Sequence, residues 1–509
     1  MKLLHSLFKF SLAVTWIAIA PRPAITQTNN QSDITGPNPI EIAVPTTPPS
    51  APAVEQTNGK IGGATDQRTA KVDRQSYETR LQTVNPSQAV ALQEAFQAQQ
   101  FSDYTGIPLY GEVPSAEDIA NILDNIWQQT GEKPGFIHIS SQTDQIELFL
   151  VVPQSSDKVT VSNSLTAQSS SFIIRETVPD VANKELLSLV RKFQRDVSKK
   201  RNPRRLLQSS QQLYQWLIAP IEDELKAQGI EVLVLSMDSG LRGLPVAALH
   251  DGEQYLVEKY ALAIVPCFGL ADIGYTDIRD TQIIAMGASE FTNLNPLPSV
   301  PLELATIAGK IWSGKYFLNR EFTVENFTRQ NQQQSFGIIH LATHGEFKPG
   351  RPENSYIQFY DRKLTIPQFR QLATELGWID ADTAPIELLV LSACRTAVGD
   401  EMAELGFAGL AVAAGVKSVL ASLWYVSDAG TLALMTEFYS QLSQAPIKAQ
   451  ALRRAQLAVL KGEVYIENGF LYLSNGERMP LPPEIVSQSN LDLSNPFFWS
   501  AFTLIGNWN

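Results

Sequence analysis

Two sites in this 509-residue chain combine residue types and a setting suited to covalent chemistry. His344 and Gly345 close the run "FGIIHLATHG", and Cys394 closes "IELLVLSAC" before Arg395 and the small residues up to Gly399. A thiol with an ordinary pKa of about 8.5 is only a few per cent thiolate at neutral pH. A neighbouring imidazole raises that fraction and later protonates a leaving amine. Cys394 is therefore the candidate nucleophile and His344 the candidate acid-base. A glycine has no Cβ to block approach, so the backbone N–H groups of Gly345 and Cys394 are candidate donors to a developing oxyanion. Taken singly, a cysteine ending an apolar strand reads as a core thiol and a lone histidine as a packing residue. The signal lies in the pair.

The elements that must position them follow from the pattern after residue 281. Short apolar runs ("TQIIAMGAS", "FGIIHLATHG", "IELLVLSAC", "VKSVLASLW") alternate with helical stretches near 301–313, 323–333, 366–376, 403–414 and 428–443. Near-continuous apolar strands separated by helices mark a mostly parallel sheet covered on both faces. A right-handed crossover makes the His344 and Cys394 strands neighbours with their carboxyl ends on one edge, where α/β ligands bind. The dyad would then face one cleft.

The amino-terminal half looks different. "SAEDIANILDNIW" carries a capping-box signature at Ser115 and Asp118 and an apolar stripe at helical spacing. "GFIHIS" and "IELFLVVP" predict an antiparallel hairpin, helices follow at 182–197 and 205–227, and "IEVLVLS" predicts a further strand. This half is expected to be an α+β partner domain. His340 lies inside its strand and reads as packing or support; His138, His250 and Cys267 read as structural. No nucleophile elbow, metal-binding helix, phosphate loop or paired-cysteine motif is present, and no cofactor or metal is expected.

Composition narrows the setting. Forty Lys and Arg against 52 Asp and Glu give a net charge of −12, which argues against nucleic acid as a partner. Two cysteines are too few for a disulfide framework. Residues 1–26 carry Lys2 and Lys9 ahead of an apolar stretch from Phe10 to Ala20, the pattern of an export signal, with membrane contact only through that segment if it is not removed. Residues 27–76 contain no aromatic residue and six prolines between Pro37 and Pro52, the composition of a tether without a core of its own. The segment Arg191–Arg205 is strongly basic, with Lys199, Lys200 and Arg201 between two expected helices.

Several motifs together resemble the CHAT domain proteins, caspase-like cysteine peptidases related to separase. They are "HLATHG", "LLVLSACRTAVGD", "ELGFAGLAVAAGVKSVLASLWYVSD", "KAQALRRAQLAVL" and "NPFFWSAFTLIGNW", and upstream "LVLSMDSGLRGLPVAALHDGEQYLVEKYALAIVP". Ordered structure is expected to start near Tyr77 with a helical lead-in at 77–114, and the resemblance, which runs from about 115 to the end, implies a pseudo-caspase-like part at 115–275 and a caspase-like catalytic part at 276–509. It implies a His344–Cys394 dyad acting on a protein or peptide substrate, with a place for a regulatory protein partner. It also implies an acidic residue selecting Arg or Lys before the cut bond, which falls on Asp428. The Lys199–Lys200–Arg201 run would itself suit such a pocket, so self-processing there is expected. The alternative function is a non-catalytic scaffold that holds peptides.

Overall fold

The computed structural model describes residues 73–106, 113–154, 172–200, 203–379, 385–396, 400–486 and 491–509, with side chains at 393–396 excepted. The expected export signal, nearly all of the tether and Arg201 lie outside the described residues. Helix Arg74–Thr83 begins inside the stretch read as tether, with Asp73 accepting a hydrogen bond from Gln75 N at its start. Among the described residues no helix is long and apolar enough to cross a membrane.

The sheet strands in chain order are β1 Pro134–Ser141, β2 Ile146–Val151, β3 Ile173–Val178, β4 Val232–Met237, β5 Ala261–Val265, β6 Ile283–Gly287, β7 Gly314–Leu318, β8 Ile338–Phe347, β9 Tyr356–Gln358, β10 Lys363–Thr365, β11 Leu388–Thr396 and β12 Ser418–Ser422. A small separate sheet, β13 Tyr465–Glu467, β14 Phe470–Tyr472 and β15 Arg478–Pro480, precedes the last strand, β16 Phe502–Gly506. In space the main sheet runs β7-β6-β8-β11-β12-β16-β5-β4-β1-β2-β3. Pairing is parallel through β7-β6-β8-β11-β12 and again through β16-β5-β4-β1. The sheet is mostly parallel, flanked by helices, and its central strands are buried along their whole length, as their apolar sequences require.

The helix expected at 115–127 spans Ala116–Thr130, with Ser115 and Asp118 forming the capping box and Gly131 ending it in the left-handed conformation. The hairpin expected at "GFIHIS" and "IELFLVVP" is β1 paired antiparallel to β2. What the sequence pattern does not yield is the seam between halves. β16 runs antiparallel to β12 from Ser418–Gly506 to Ser422–Phe502 and meets β5 at Ile505–Ile264. The two halves therefore share one sheet and one continuous core.

Candidate active site

β8 and β11 are parallel neighbours, as the crossover argument predicts. They differ from the simple expectation in two ways. Both strands run past the dyad, to Phe347 and Thr396, so His344 and Cys394 sit within extended strand tails rather than at strand ends. The register also shifts: Leu391 pairs with Leu341, but Ala393 pairs with His344 and Cys394 with Gly345. Two residues of advance on β11 are matched by three on β8, a bulge one step ahead of the histidine. Without it Cys394 would stand beside His344; with it Cys394 stands beside Gly345. Bulges of this kind re-aim a side chain where a sheet borders a site.

β8 changes neighbours at the same point. Its first half, Ile338–Ala342, lies beside β6, and Gly345–Glu346 lies beside the β9–β10 hairpin, an element absent from the sequence expectation. β6 ends at Gly287, where an added Cβ would meet the Ala342 carbonyl oxygen at 2.5 Å, and the chain leaves into the loop 289–297. That loop is closed by Leu297 N donating to Ser289 O at 3.0 Å. It is pinned from outside by Ser289 N donating to Asn319 Oδ1 at 2.8 Å.

The loop delivers the group that orients His344. His344 Nε2 is 2.8 Å from the carbonyl oxygen of Asn295. A carbonyl only accepts, so Nε2 carries the hydrogen and in the neutral ring Nδ1 is the basic nitrogen. Phe291 of the same loop meets the imidazole edge-on with centroids 4.8 Å apart, and Tyr425 lies nearly parallel to it at 6.2 Å. A cleft of about 300 Å³ opens here, lined by His344, Gly345, Glu346, Asn295, Tyr356 and Tyr425 among others. Gly345 thus faces the cleft although strands flank it on both sides. Sequence reading missed Phe291, Asn295 and Tyr425. The rule that pointed to the ends of β8 and β11 applies equally to the loops after β6 and β12, and would have found them.

Asp428 starts helix Asp428–Leu442 and is not among the residues lining that cleft. Its Oδ2 accepts from Ser299 N at 2.6 Å, while Ser299 Oγ donates to the Asp428 carbonyl at 3.2 Å. Burial pushes its carboxyl pKa up to about 6 against the pull of the Ser299 bonds, with the nearby Glu303 charge adding to the rise. His340 is fully buried, its Nε2 2.9 Å from Glu303 Oε1 and its Nδ1 3.2 Å from the Tyr439 hydroxyl. It therefore fastens β8 to two helices.

Cys267 is buried, and burial raises its thiol pKa well above the ordinary value, which suits a structural thiol. His138 is buried with Nε2 2.9 Å from Glu94 Oε1. His250 Nδ1 accepts from Gly252 N at 2.9 Å, a local turn bond. Lys199 ends helix Asn183–Ser198, and Lys200 follows with φ of 49°, its ammonium 4.4 Å and 4.0 Å from the ring centroids of Phe497 and Phe498. Among the described residues no group of three or more His, Cys, Asp or Glu side chains is arranged to hold a metal ion.

The family model of the CHAT domain matches residues 207–507. Among solved structures the chain is similar to separase in the Saccharomyces cerevisiae separase–securin complex, at 10% identity and a TM-score of 0.39, covering 85% of this chain and 37% of that one. It is also similar to the complex of Porphyromonas gingivalis RgpB pro- and mature domains, at 9% identity and a TM-score of 0.33, covering 64% of this chain and 76% of that one. No curated protein matches it.

Proposed function

Because the chain belongs to the CHAT domain family, we propose that it is an exported cysteine endopeptidase that cuts after Arg or Lys. The observation that carries this reading is the pairing of β8 and β11, with Cys394 beside Gly345 and His344 one residue away, its Nε2 bonded to Asn295 O. In the proposed cycle His344 Nδ1 takes the Cys394 proton and the thiolate attacks the carbonyl carbon of the substrate bond. The resulting oxyanion accepts from the N–H groups of Gly345 and Cys394. His344 then gives its proton to the leaving amine as the C–N bond breaks, leaving a thioester. Water, losing a proton to His344, attacks the thioester, and the released thiol recovers that proton. Asp428 is the proposed selector of a basic side chain.

The test is labelling by an electrophilic peptide ending in Arg. Wild-type protein takes up the label and Cys394→Ala does not. A chain that binds such peptides reversibly but never forms the adduct would instead be a scaffold. Self-processing at Lys199, Lys200 or Arg201 is part of the same proposal: wild type is nicked there and Cys394→Ala stays whole, as intact-mass measurement would record. Lys200 must first leave the Phe497–Phe498 pair, so nicking is expected to be slow.

A further inference from the structure

A second cleft lies away from His344 and Cys394. It encloses about 710 Å³ beyond the carboxyl ends of β1 and β4, where Ser239 and Arg242 follow β4 and Thr143 follows β1. Its second wall is helix Pro86–Thr105, through Phe96, Gln100 and Tyr104. Its third is helix Glu401–Ala408, which begins seven residues after Cys394, through Glu401, Met402 and Leu405.

The charges around this space are unevenly satisfied. Arg74 is neutralised by Asp238, with bonds of 2.8 and 2.5 Å, and by Glu78 at 2.8 Å. Arg242 is not. It is 2% exposed, yet its terminal nitrogen is held only by the neutral amide oxygens of Gln97, at 2.9 Å, and Gln100, at 2.6 Å. Its Nε has no hydrogen-bond partner among the described residues, and burial is the largest influence on its charge, against the pull of Asp238 and Glu404. A buried guanidinium with no carboxylate bonded to it is costly, and the group that relieves it best is an anion with two oxygens. The Gln100 amide oxygen stands where one such oxygen would bind. The rest of the lining is mixed: Asp103, Asn183, Lys184 and Glu401 are polar or charged, while Phe96, Leu187, Leu405 and the Met402 side chain, 41% exposed, form an apolar part.

We propose that this cleft binds a carboxylate carrying an apolar body, with Arg242 taking the carboxylate and Phe96, Leu187, Met402 and Leu405 the body. Two sources share that chemistry: a fatty acid, and the carboxyl-terminal residue of a peptide. Occupancy would stiffen helix Glu401–Ala408, which is already held from this side by Ser239 Oγ donating to Glu401 Oε2 at 2.7 Å and by Gln194 Nε2 donating to Glu404 Oε1 at 3.3 Å. That helix follows β11, the strand that carries Cys394, in the chain. Binding itself does not depend on the peptidase reading.

The test titrates the full chain with octanoate and, separately, with N-acetyl-alanyl-leucine, following heat of binding and hydrogen exchange in residues 401–408. One of the two is expected to bind and to slow that exchange, and which one does identifies the source. Arg242→Gln should weaken binding at least tenfold. Because that buried change also threatens folding, Met402→Trp, which fills the cleft from an exposed position, must weaken it at least tenfold as well. Failure of both probes to bind wild type, or undiminished binding by Met402→Trp, overturns the proposal.

Discussion

At the carboxyl end of β4 the carboxylate of Asp238 accepts from four groups: two Arg74 nitrogens, Ser141 N at 3.1 Å and Ser239 N at 2.8 Å. At the corresponding end of β8 the His344 imidazole is oriented through one nitrogen by a loop carbonyl and faces a cleft. Both sites follow a buried parallel strand of the same sheet. In the amino-terminal half the polar strand ends are spent tying the lead-in helix to the sheet. In the carboxyl-terminal half a bulge, a glycine and a pinned loop keep them presented to the cleft. One architecture thus carries a tied edge and an edge open to a cleft, the one proposed to be reactive, and substitutions should fall into the same two classes.

The largest effect is expected on the reactive side. Cys394→Ala and His344→Ala should each lower turnover of an Arg-ending substrate by roughly a thousandfold or more, because members of one dyad fail together. Thermal unfolding should move by no more than a degree or two. Comparable activity in either variant would erase the difference between the two edges.

On the other side, Asp238→Ala leaves Arg74 beside the backbone oxygen of Ser141 with its main counter-charge gone. Breaking such a largely buried pair costs about 3 kcal/mol. The midpoint of thermal unfolding should fall while kcat/KM of the remaining folded protein holds. A large loss of kcat/KM without loss of stability would mean that the stabilising edge also governs the chemistry.

How much of this was legible in the sequence follows from the range over which each feature is determined. The β8–helix–β11 alternation, the neighbouring of the strands that carry His344 and Cys394, and the Ser115 capping box depend on local pattern and a chirality rule, and they were readable. The bulge before His344 was not, because "HLATHG" is consistent with either register and only pairing with β11 chooses between them. The seam strand β16 was not, because its neighbours β12 and β5 are far from it in sequence and "AFTLIG" carries no mark of partner. Asp428 was found as an acid, but the composition of its helix says nothing of Ser299, 129 positions earlier, which holds its carboxylate.

Asp428 gives a smaller and pH-dependent test. Its folded pKa of about 6 lies above the unfolded value, so the folded state keeps the proton longer. The stabilising contribution is complete below about pH 4, the usual carboxylate range, and is lost as pH rises through about 6. In Asp428→Asn this dependence disappears, the acceptor for Ser299 N remains, and stability at pH 7 should rise by about 3 kcal/mol. The preference for a basic side chain should vanish in the same variant. Urea midpoints at pH 4.5 and 7, read beside cleavage of Arg- and Leu-ending substrates, check both halves. A variant that gains no stability at pH 7 would show that the carboxylate is not strained by burial.

The smallest expected effect concerns the loop that orients the base. Phe291 packs edge-on against the His344 ring, but the hydrogen bond to Asn295 O is made by the backbone and survives its removal. In Phe291→Ala the imidazole therefore keeps the same protonated nitrogen while gaining freedom to tilt, and Nδ1 spends less time aligned with the thiol. Loss of alignment alone lowers kcat, by about fivefold or roughly 1 kcal/mol, and leaves KM unchanged. Because Phe291 is only partly buried and the loop is closed by its own Ser289–Leu297 bond and the Asn319 pin, thermal stability should barely move. Asn319→Ala attacks the pin instead and should reproduce the loss of kcat with a modest loss of stability, since Asn319 holds a φ of 52° that alanine adopts poorly. If Phe291→Ala raised KM with kcat intact, the ring would be a substrate contact, and the reactive edge would owe its orientation to the Asn295 carbonyl alone.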